Sequence, residues 1–174
     1  FQHVRCRQCG LIYLNPRPRS DEMARYYPSD YEPFIRARSQ LRSRLGNWGY
    51  TRWLDRRCDT VMAKRDTGRL LDVGCATGEF LVKMRDRGWD VAGVELSAEA
   101  AGIARDYGLQ VYTGQLISAE LPSDYYDVVT LWDVLEHVPD PAAELAEIAR
   151  ILKPDGLLVV ELPNVESWDA RIFG

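Results

Sequence analysis

Residues Leu70–Leu81 read LLDVGCATGEFL. An apolar run ends in an acid, Asp72. A small-residue turn follows, Gly74-Cys75-Ala76-Thr77-Gly78, and Glu79 opens a stretch with helical spacing. Seventeen residues beyond Gly78 a second apolar run, Trp89–Val94, ends in another acid, Glu95. A strand, a tight turn, a helix N-terminus and an acid at the tip of the next strand together describe a nucleotide-type binding site.

The turn narrows the ligand. Gly74 and Gly78 let the backbone approach closely, and the helix start offers unpaired N–H groups and partial positive charge. A dinucleotide site wants G-x-G-x-x-G. Counted from Gly74, the second glycine position holds Ala76 and the third holds Glu79. An acid there repels a pyrophosphate, which disfavours NAD and FAD. The P-loop pattern G-x-x-x-x-G-K-S/T is absent. A ligand with an amino-acid cation and no phosphate fits better. Asp72 then stands near its ammonium or water shell, backbone N–H groups take its carboxylate, and Glu95 accepts from two ribose hydroxyls, as the corresponding acid does in dinucleotide folds.

This combination resembles motif I and the following acidic motif of class I S-adenosylmethionine-dependent methyltransferases. Asp124–Val138, DYYDVVTLWDVLEHV, is similar to that family's fourth strand and active-site loop. Leu152–Leu162, LKPDGLLVVEL, is similar to its fifth strand after a K-P-x-G turn. The likeness covers about residues 69 to 163 and departs from the common pattern at Ala76, where many members carry glycine. The resemblance implies that Asp72, Gly74, Cys75, Ala76, Thr77, Gly78, Glu95, Leu96, Gln115, Leu116, Trp132 and Asp133 contact S-adenosylmethionine, leaving S-adenosylhomocysteine as product. By the same resemblance Gly114-Gln115-Leu116 cradles the adenine. The Gln115 amide oxygen accepts from the adenine amino group and Leu116 lies on the ring. An ordinary loop is the alternative there, a plain core role for Trp132, and a small turn residue for Cys75.

The spacing of strands and helices is that of a doubly wound, mostly parallel sheet. Strands are expected at about 69–74, 90–95, 109–113, 126–132 and 157–162, and helices at about 78–87, 98–107 and 141–152. Gly88 and Gly108 suit helix C-termini. Asp140-Pro141 gives an N-cap and first-turn proline. Ala142, Leu145, Ile148, Ala149 and Leu152 share one helix face. The expected fold is a Rossmann-like methyltransferase core with strands one to five, lacking the family's final hairpin, behind a helical N-terminal segment. On this division, residues 1–66 form a half zinc ribbon and helical cap, and residues 67–174 a C-terminally truncated core. The missing hairpin would leave a strand edge open to a homodimer partner.

Asp133, Glu136 and His137 are spaced to share one face of a helical turn. Two functional readings compete. His137, with Glu136 beside it, acts as general base on an acceptor hydroxyl, because imidazoles ordinarily titrate at about pH 6.5. Or all three hold Mg²⁺, as the similar E-x-x-E-H of ubiquinone-pathway and small-RNA O-methyltransferases implies; the first acid here is the shorter Asp. A structural Glu-His pair is the third reading.

The N-terminal part is basic. Residues 1–70 hold 15 Lys/Arg against 7 Asp/Glu, and residues 71–174 hold 7 against 19. A phosphate-bearing acceptor, an acidic partner or a solvated Arg-rich helical surface all fit; the last is the simplest. Residues 1–19 look irregular because of Pro16 and Pro18. Ser20 suits an N-cap for a helix to Tyr27, and residues 35–66 carry a helical pattern with a break near Gly46–Gly49. Cys6-x-x-Cys9-Gly resembles the second knuckle of a zinc ribbon. With only His3 as a near third ligand, zinc at Cys6 and Cys9 needs upstream ligands; otherwise they are free thiols. A resemblance to sugar C-methyltransferases with zinc-bearing N-terminal domains implies that Tyr27 and Tyr31, in an aromatic cluster with Tyr26 and Phe34, close the cofactor pocket or stack on an acceptor; helix-packing aromatics are the alternative.

The chain has 174 residues and 46% hydrophobic content, with no apolar run near the ~20 residues of a membrane span. Four cysteines without a signal-like stretch fit a cytoplasmic protein with reduced thiols. The leading expectation is methyl transfer to a small molecule such as a sugar, a glycan precursor or a natural product. An RNA methyltransferase is the alternative, weakened because N/D-P-P-Y/F does not follow the fourth strand; nucleic acid is therefore disfavoured as a partner. A non-catalytic module binding S-adenosylmethionine is the third.

Overall fold

A computed structural model describes residues 2–10, 12–16, 44–164 and 167. Two antiparallel strands open the chain, β1 (Gln2–Arg5) and β2 (Ile12–Asn15). The irregular segment expected there is thus a hairpin. Its turn closes where the Gly10 N–H donates to the Cys6 carbonyl at 3.0 Å, with Gly10 at φ 78°, a conformation that suits glycine. The proline-based expectation failed because Pro16 stands just after the pairing, not within it. Helix α1 (Arg44–Met62) then runs unbroken through Gly46 and Gly49. The helix expected after Ser20, with Tyr27 and Tyr31, lies outside the described residues.

The core alternates as expected: β3 (Arg69–Val73), α2 (Glu79–Arg85), β4 (Asp90–Glu95), α3 (Ala98–Asp106), β5 (Gln110–Thr113), β6 (Tyr126–Trp132), α4 (Pro141–Ile151) and β7 (Leu152–Glu161). Short 3₁₀ turns cover Leu116–Ala119 and Leu135–His137. The five core strands form one parallel sheet in the order β5-β4-β3-β6-β7. The chain moves outward from β3 to β5 and returns to β6 on the other side of β3. The switch point between β3 and β6 is where such sheets open a ligand crevice.

Both faces of the sheet are covered, which is why its strands are rich in Val and Leu instead of alternating strictly with polar residues. Leu70 and Val128 point to the side covered by α1, α2 and α3, among Leu54, Cys58, Val61, Phe80, Leu81 and Met84. Leu71, Val73, Val129 and Leu131 point to the other side, where Ile148 and Ile151 of α4 cover them. That helix is turned from the expected face. Ile148 and Ile151 are buried, whereas Ala142, Leu145 and Ala149 face solvent, because α4 meets the sheet along 144–148–151. Its N-terminus follows the sequence signal, with Asp140 accepting from the N–H groups of Ala142 and Ala143, both at 3.1 Å.

The fifth core strand begins earlier than expected. Tyr126 faces Leu152 but Val128 faces Leu157, so the Lys-Pro-Asp-Gly segment bulges from the ladder instead of preceding it. Pro154 is tolerated because β7 lies at the end of the strand order.

Leu131 is fully buried between β3 and α4. Leu131→Ala should lower the unfolding free energy by about 2–5 kcal/mol, read from urea denaturation.

Candidate active site

The site grows from the tips of β3, β4 and β6. In β3, Asp72 lies on the same side as Leu70, facing α1, and is buried at 3% exposure. Thr130 of the neighbouring β6 pairs in register with it, and its hydroxyl donates to Asp72 Oδ1 at 2.6 Å. Burial pushes the Asp72 carboxyl up from the ordinary 3.8 to about 7; the Thr130 hydrogen bond and the Arg57 charge pull against this, and Glu95 adds to it.

Glu95 ends β4 and is also buried. Its Oε2 accepts from the Ala76 N–H at 2.9 Å and its Oε1 from the Ser97 N–H at 2.7 Å. Burial raises its pKa, and the N–H groups of Ser97 and Ala76 oppose the rise. Each oxygen keeps acceptor capacity beyond its backbone partner.

The turn between these acids is tied to β4 by the N–H groups of Gly74 and Cys75, which donate to the Val94 carbonyl at 2.8 and 3.1 Å. Gly74 has φ 74°, and a Cβ on it would lie 2.5 Å from Val134 Cγ2. Gly78 has φ 81° and packs against Leu109 and Ala104. Ala76 has φ 48°. That left-handed conformation explains why glycine suits the position and why alanine is tolerated at a cost of about 1–2 kcal/mol. The Cys75 thiol fills space left by Gly93, and burial pushes its pKa well above the thiol range; it is a packing residue. Thr77 is buried, its Oγ1 3.5 Å from Glu79 Oε2.

A cavity of about 520 Å³ opens over this turn, within the range of small-ligand sites. It collects most of the expected contacts: Asp72, Gly74, Cys75, Ala76, Thr77, Glu95, Leu96, Gln115, Leu116, Trp132, Asp133 and His137. Gly78 and Glu136 are not on its lining. Leu116 is almost wholly buried, and the exposed apolar surface beside Leu96 comes instead from Ile117, 60% exposed. Gln115 is exposed at the same end.

The expected convergence of Asp133, Glu136 and His137 does not form. Asp133 has φ 56°, outside the helical region, and the turn begins only at Leu135. Its carboxylate turns to Arg57 at 2.7 Å. His137, about half exposed, has Nε2 3.9 Å from Glu136 Oε1. Among the described residues no three His, Cys, Asp or Glu side chains gather as a metal site, so the Mg²⁺ reading lacks its third ligand. At the hairpin turn, N–H groups of Cys9 and Gln8 hold the Cys6 thiol below its usual range. That environment suits a thiolate, but Cys6 and Cys9 alone do not make a zinc site.

The opposite wall was not expected from the sequence. Tyr50, Trp53 and Arg57 lie at i, i+3 and i+7 along α1. The Tyr50 hydroxyl donates to Glu79 Oε2 across the mouth of the turn. Tyr50 stacks on Trp53 with centroids 5.6 Å apart, and Phe80 meets Trp132 edge-on at 5.4 Å. The only hint in the sequence was helical spacing, which equally describes a packing face.

A family model described as a methyltransferase domain matches residues 36–172. The chain belongs to the class I S-adenosylmethionine-dependent methyltransferases. Among curated relatives, the ubiquinone biosynthesis O-methyltransferase of Thiobacillus denitrificans is 40% identical over 135 residues, covering 71% of this chain and 55% of that protein. The Aeromonas salmonicida protein of the same name is 38% identical over 103 residues, covering 55% and 43%. The methyltransferase chain thus spans about half the length of these relatives. Among solved structures, a SAM-dependent methyltransferase from Thermotoga maritima superposes with TM-score 0.58 at 30% identity, covering 72% of this chain and 62% of that one. One from Archaeoglobus fulgidus gives TM-score 0.60 at 24% identity, with coverage of 68% and 55%, and speaks to the fold alone. No helix among the described residues is long and apolar enough to cross a membrane.

The folded protein holds the Asp72 proton more tightly than the unfolded chain does. Stability from this group is therefore full below about pH 4 and is lost as pH rises through about 7. Asp72→Asn should gain stability relative to wild type between about pH 5 and about pH 8, by up to a few kcal/mol; a constant difference across paired denaturation curves would contradict this.

Proposed function

We propose that this chain transfers a methyl group from S-adenosylmethionine to a hydroxyl of a small-molecule acceptor. The observation that carries the reading is Glu95, a buried carboxylate aimed by two backbone N–H groups at the cavity between two strand tips. A ribose diol offers the two donors that such a carboxylate can still accept. Asp72 supports it from the other side of the turn: a carboxyl raised by burial is returned to its ionised form when a cation enters beside it. The cofactor brings one ammonium and one sulfonium. The exposed apolar faces of Leu96 and Ile117, with Gln115 nearby, suit the adenine.

When bound, the cofactor supplies the electrophilic methyl on its sulfonium. The protein's task is then alignment, exclusion of water and removal of one proton. Trp132, Phe80, Trp53 and Tyr50 form an apolar wall beside the turn, which fixes an acceptor in position. His137, half exposed on the cavity lining, is the group that takes the acceptor proton. Oxygen is favoured as the methylated atom because the relatives are ubiquinone biosynthesis O-methyltransferases. Within that class, phenols, sugars, glycan precursors and other natural products are the acceptors to test.

Calorimetric titration with S-adenosylhomocysteine should show binding to wild type. Glu95→Ala should weaken it by on the order of 10–100-fold with the circular dichroism spectrum retained, as expected for losing hydrogen bonds to a charged group. On an acceptor found in a panel of hydroxylated compounds, His137→Ala should lower kcat by about 10²–10⁴-fold while leaving cofactor affinity intact. Absence of binding by the wild-type chain would overturn the reading.

A further inference from the structure

Arg57 is a buried cation that neither the sequence motifs nor the family resemblance singled out. It is 7% exposed on α1 and donates through Nη2 to two carboxylates, Asp133 Oδ2 at 2.7 Å and Glu161 Oε1 at 2.9 Å. Its guanidinium carbon lies 3.5 Å from the Trp53 ring centroid and 4.8 Å from that of Trp132. Together with the Tyr50–Trp53 and Phe80–Trp132 pairs, this makes a continuous stack Tyr50–Trp53–Arg57–Trp132–Phe80. One side chain therefore joins α1, the tip of β6, the tip of β7 and, through Phe80, α2.

What Arg57 holds is a strained residue. Asp133 is a non-glycine in the left-handed region, a conformation that costs of order 1–3 kcal/mol and persists only where its surroundings fix it. Two contacts fix it here: its N–H donates to the Glu161 carbonyl at 3.1 Å, and its carboxylate is held by Arg57, which also holds the Glu161 side chain. Asp133 aims the segment that follows. Val134 packs onto Gly74 of the turn, and the His137 N–H closes the 3₁₀ turn on the Val134 carbonyl at 2.9 Å. The position of His137 on the cavity is thereby tied to Asp133, four residues before it.

We propose that Arg57 is a positioning residue for the reaction, fixing His137 in the acceptor chamber by holding Asp133 in its left-handed conformation. The proposal rests on the methyl-transfer reading for its functional meaning. Lysine is not a substitute, because its ammonium lacks the flat guanidinium that lies between the Trp53 and Trp132 rings while one of its nitrogens bonds both carboxylates. Arg57 differs in this from the other anchors of α1. Asp55 joins Lys83 and Arg87 of the α2 region at 2.8 and 2.7 Å without touching the Asp133 segment.

The chain has two histidines, so the imidazole Hε1–Cε1 resonance of His137 is identified by its loss in His137→Gln. Spectra of the full chain should be compared for wild type, Arg57→Lys, Asp133→Asn, their double variant and Asp55→Asn, each with its thermal midpoint. The His137 resonance should move in Arg57→Lys and in Asp133→Asn and move no further in the double variant, because both cut the same link. Asp55→Asn should lower the midpoint and leave the resonance in place. A resonance unmoved in both Arg57→Lys and Asp133→Asn, or moved equally by Asp55→Asn, overturns the proposal. If Arg57→Lys does not fold, Asp133→Asn against Asp55→Asn carries the same decision. S-adenosylhomocysteine binding by the same wild-type sample tests the methyl-donor reading separately: its failure leaves the resonance result standing.

Discussion

The structure turns on the burial of two carboxylates at neighbouring strand tips. Asp72, the penultimate residue of β3, and Glu95, the last of β4, lie on adjacent parallel strands, and burial raises the pKa of both. Removing two like charges from water is unfavourable, and the fold offsets only part of that with one hydroxyl and two N–H groups. The Gly74–Gly78 turn, with its left-handed residues and glycines packed against neighbours, brings the Ala76 N–H within reach of Glu95, while the Ser97 N–H comes from the segment that follows Glu95 itself. On the proposed function, the remaining deficit is met by a ligand that supplies positive charge near one acid and hydroxyl donors to the other. A site preorganised in this way loses little to rearrangement when the ligand arrives.

The uneven charge of the two halves takes on a different meaning in three dimensions. In sequence it suggested a phosphate-bearing acceptor, an acidic partner or a solvated surface. In the fold, Arg57 pairs with Asp133 and Glu161, and Arg65 with Asp127 and Asp155. Part of the basic excess is therefore paired within the molecule: Arg57 fastens α1 to the core beside the cavity, and Arg65, just past α1, pairs near the starts of β6 and β7. Exposed pairs such as Arg65–Asp155 contribute little stability. The Arg57 cluster, a buried cation with two half-exposed carboxylates, does more to set geometry than to stabilise the fold, since desolvating the guanidinium offsets much of the attraction.

The core was legible because its signals are local. Strand and helix periods, the Gly88 and Gly108 helix ends, the Asp140-Pro141 cap and the spacing from Asp72 to Glu95 each lie within a short window. The cavity lining was legible wherever it hangs on those elements, as at Gly74–Thr77 and Glu95. It was not legible where a contact spans the chain. Arg57 meets partners 76 and 104 residues away, and its helical neighbours Tyr50 and Trp53 carry the same pattern as any packed face. Asp133 was misread for a related reason: i, i+3, i+4 spacing suggests one helical face, but the tie to Arg57 and Glu161 holds the residue in a left-handed conformation. The β1–β2 hairpin is hard to read from sequence because Pro16 and Pro18 follow its strand-forming residues directly and carry a stronger local signal against regular structure.

The most direct test of the central claim is a crystal structure of the chain with S-adenosylhomocysteine. The account predicts the ribose hydroxyls on the Glu95 carboxylate, the adenine against Leu96 and Ile117, and the amino-acid end over Gly74 near Asp72. A ligand bound elsewhere, or a ribose without contact to Glu95, would contradict it.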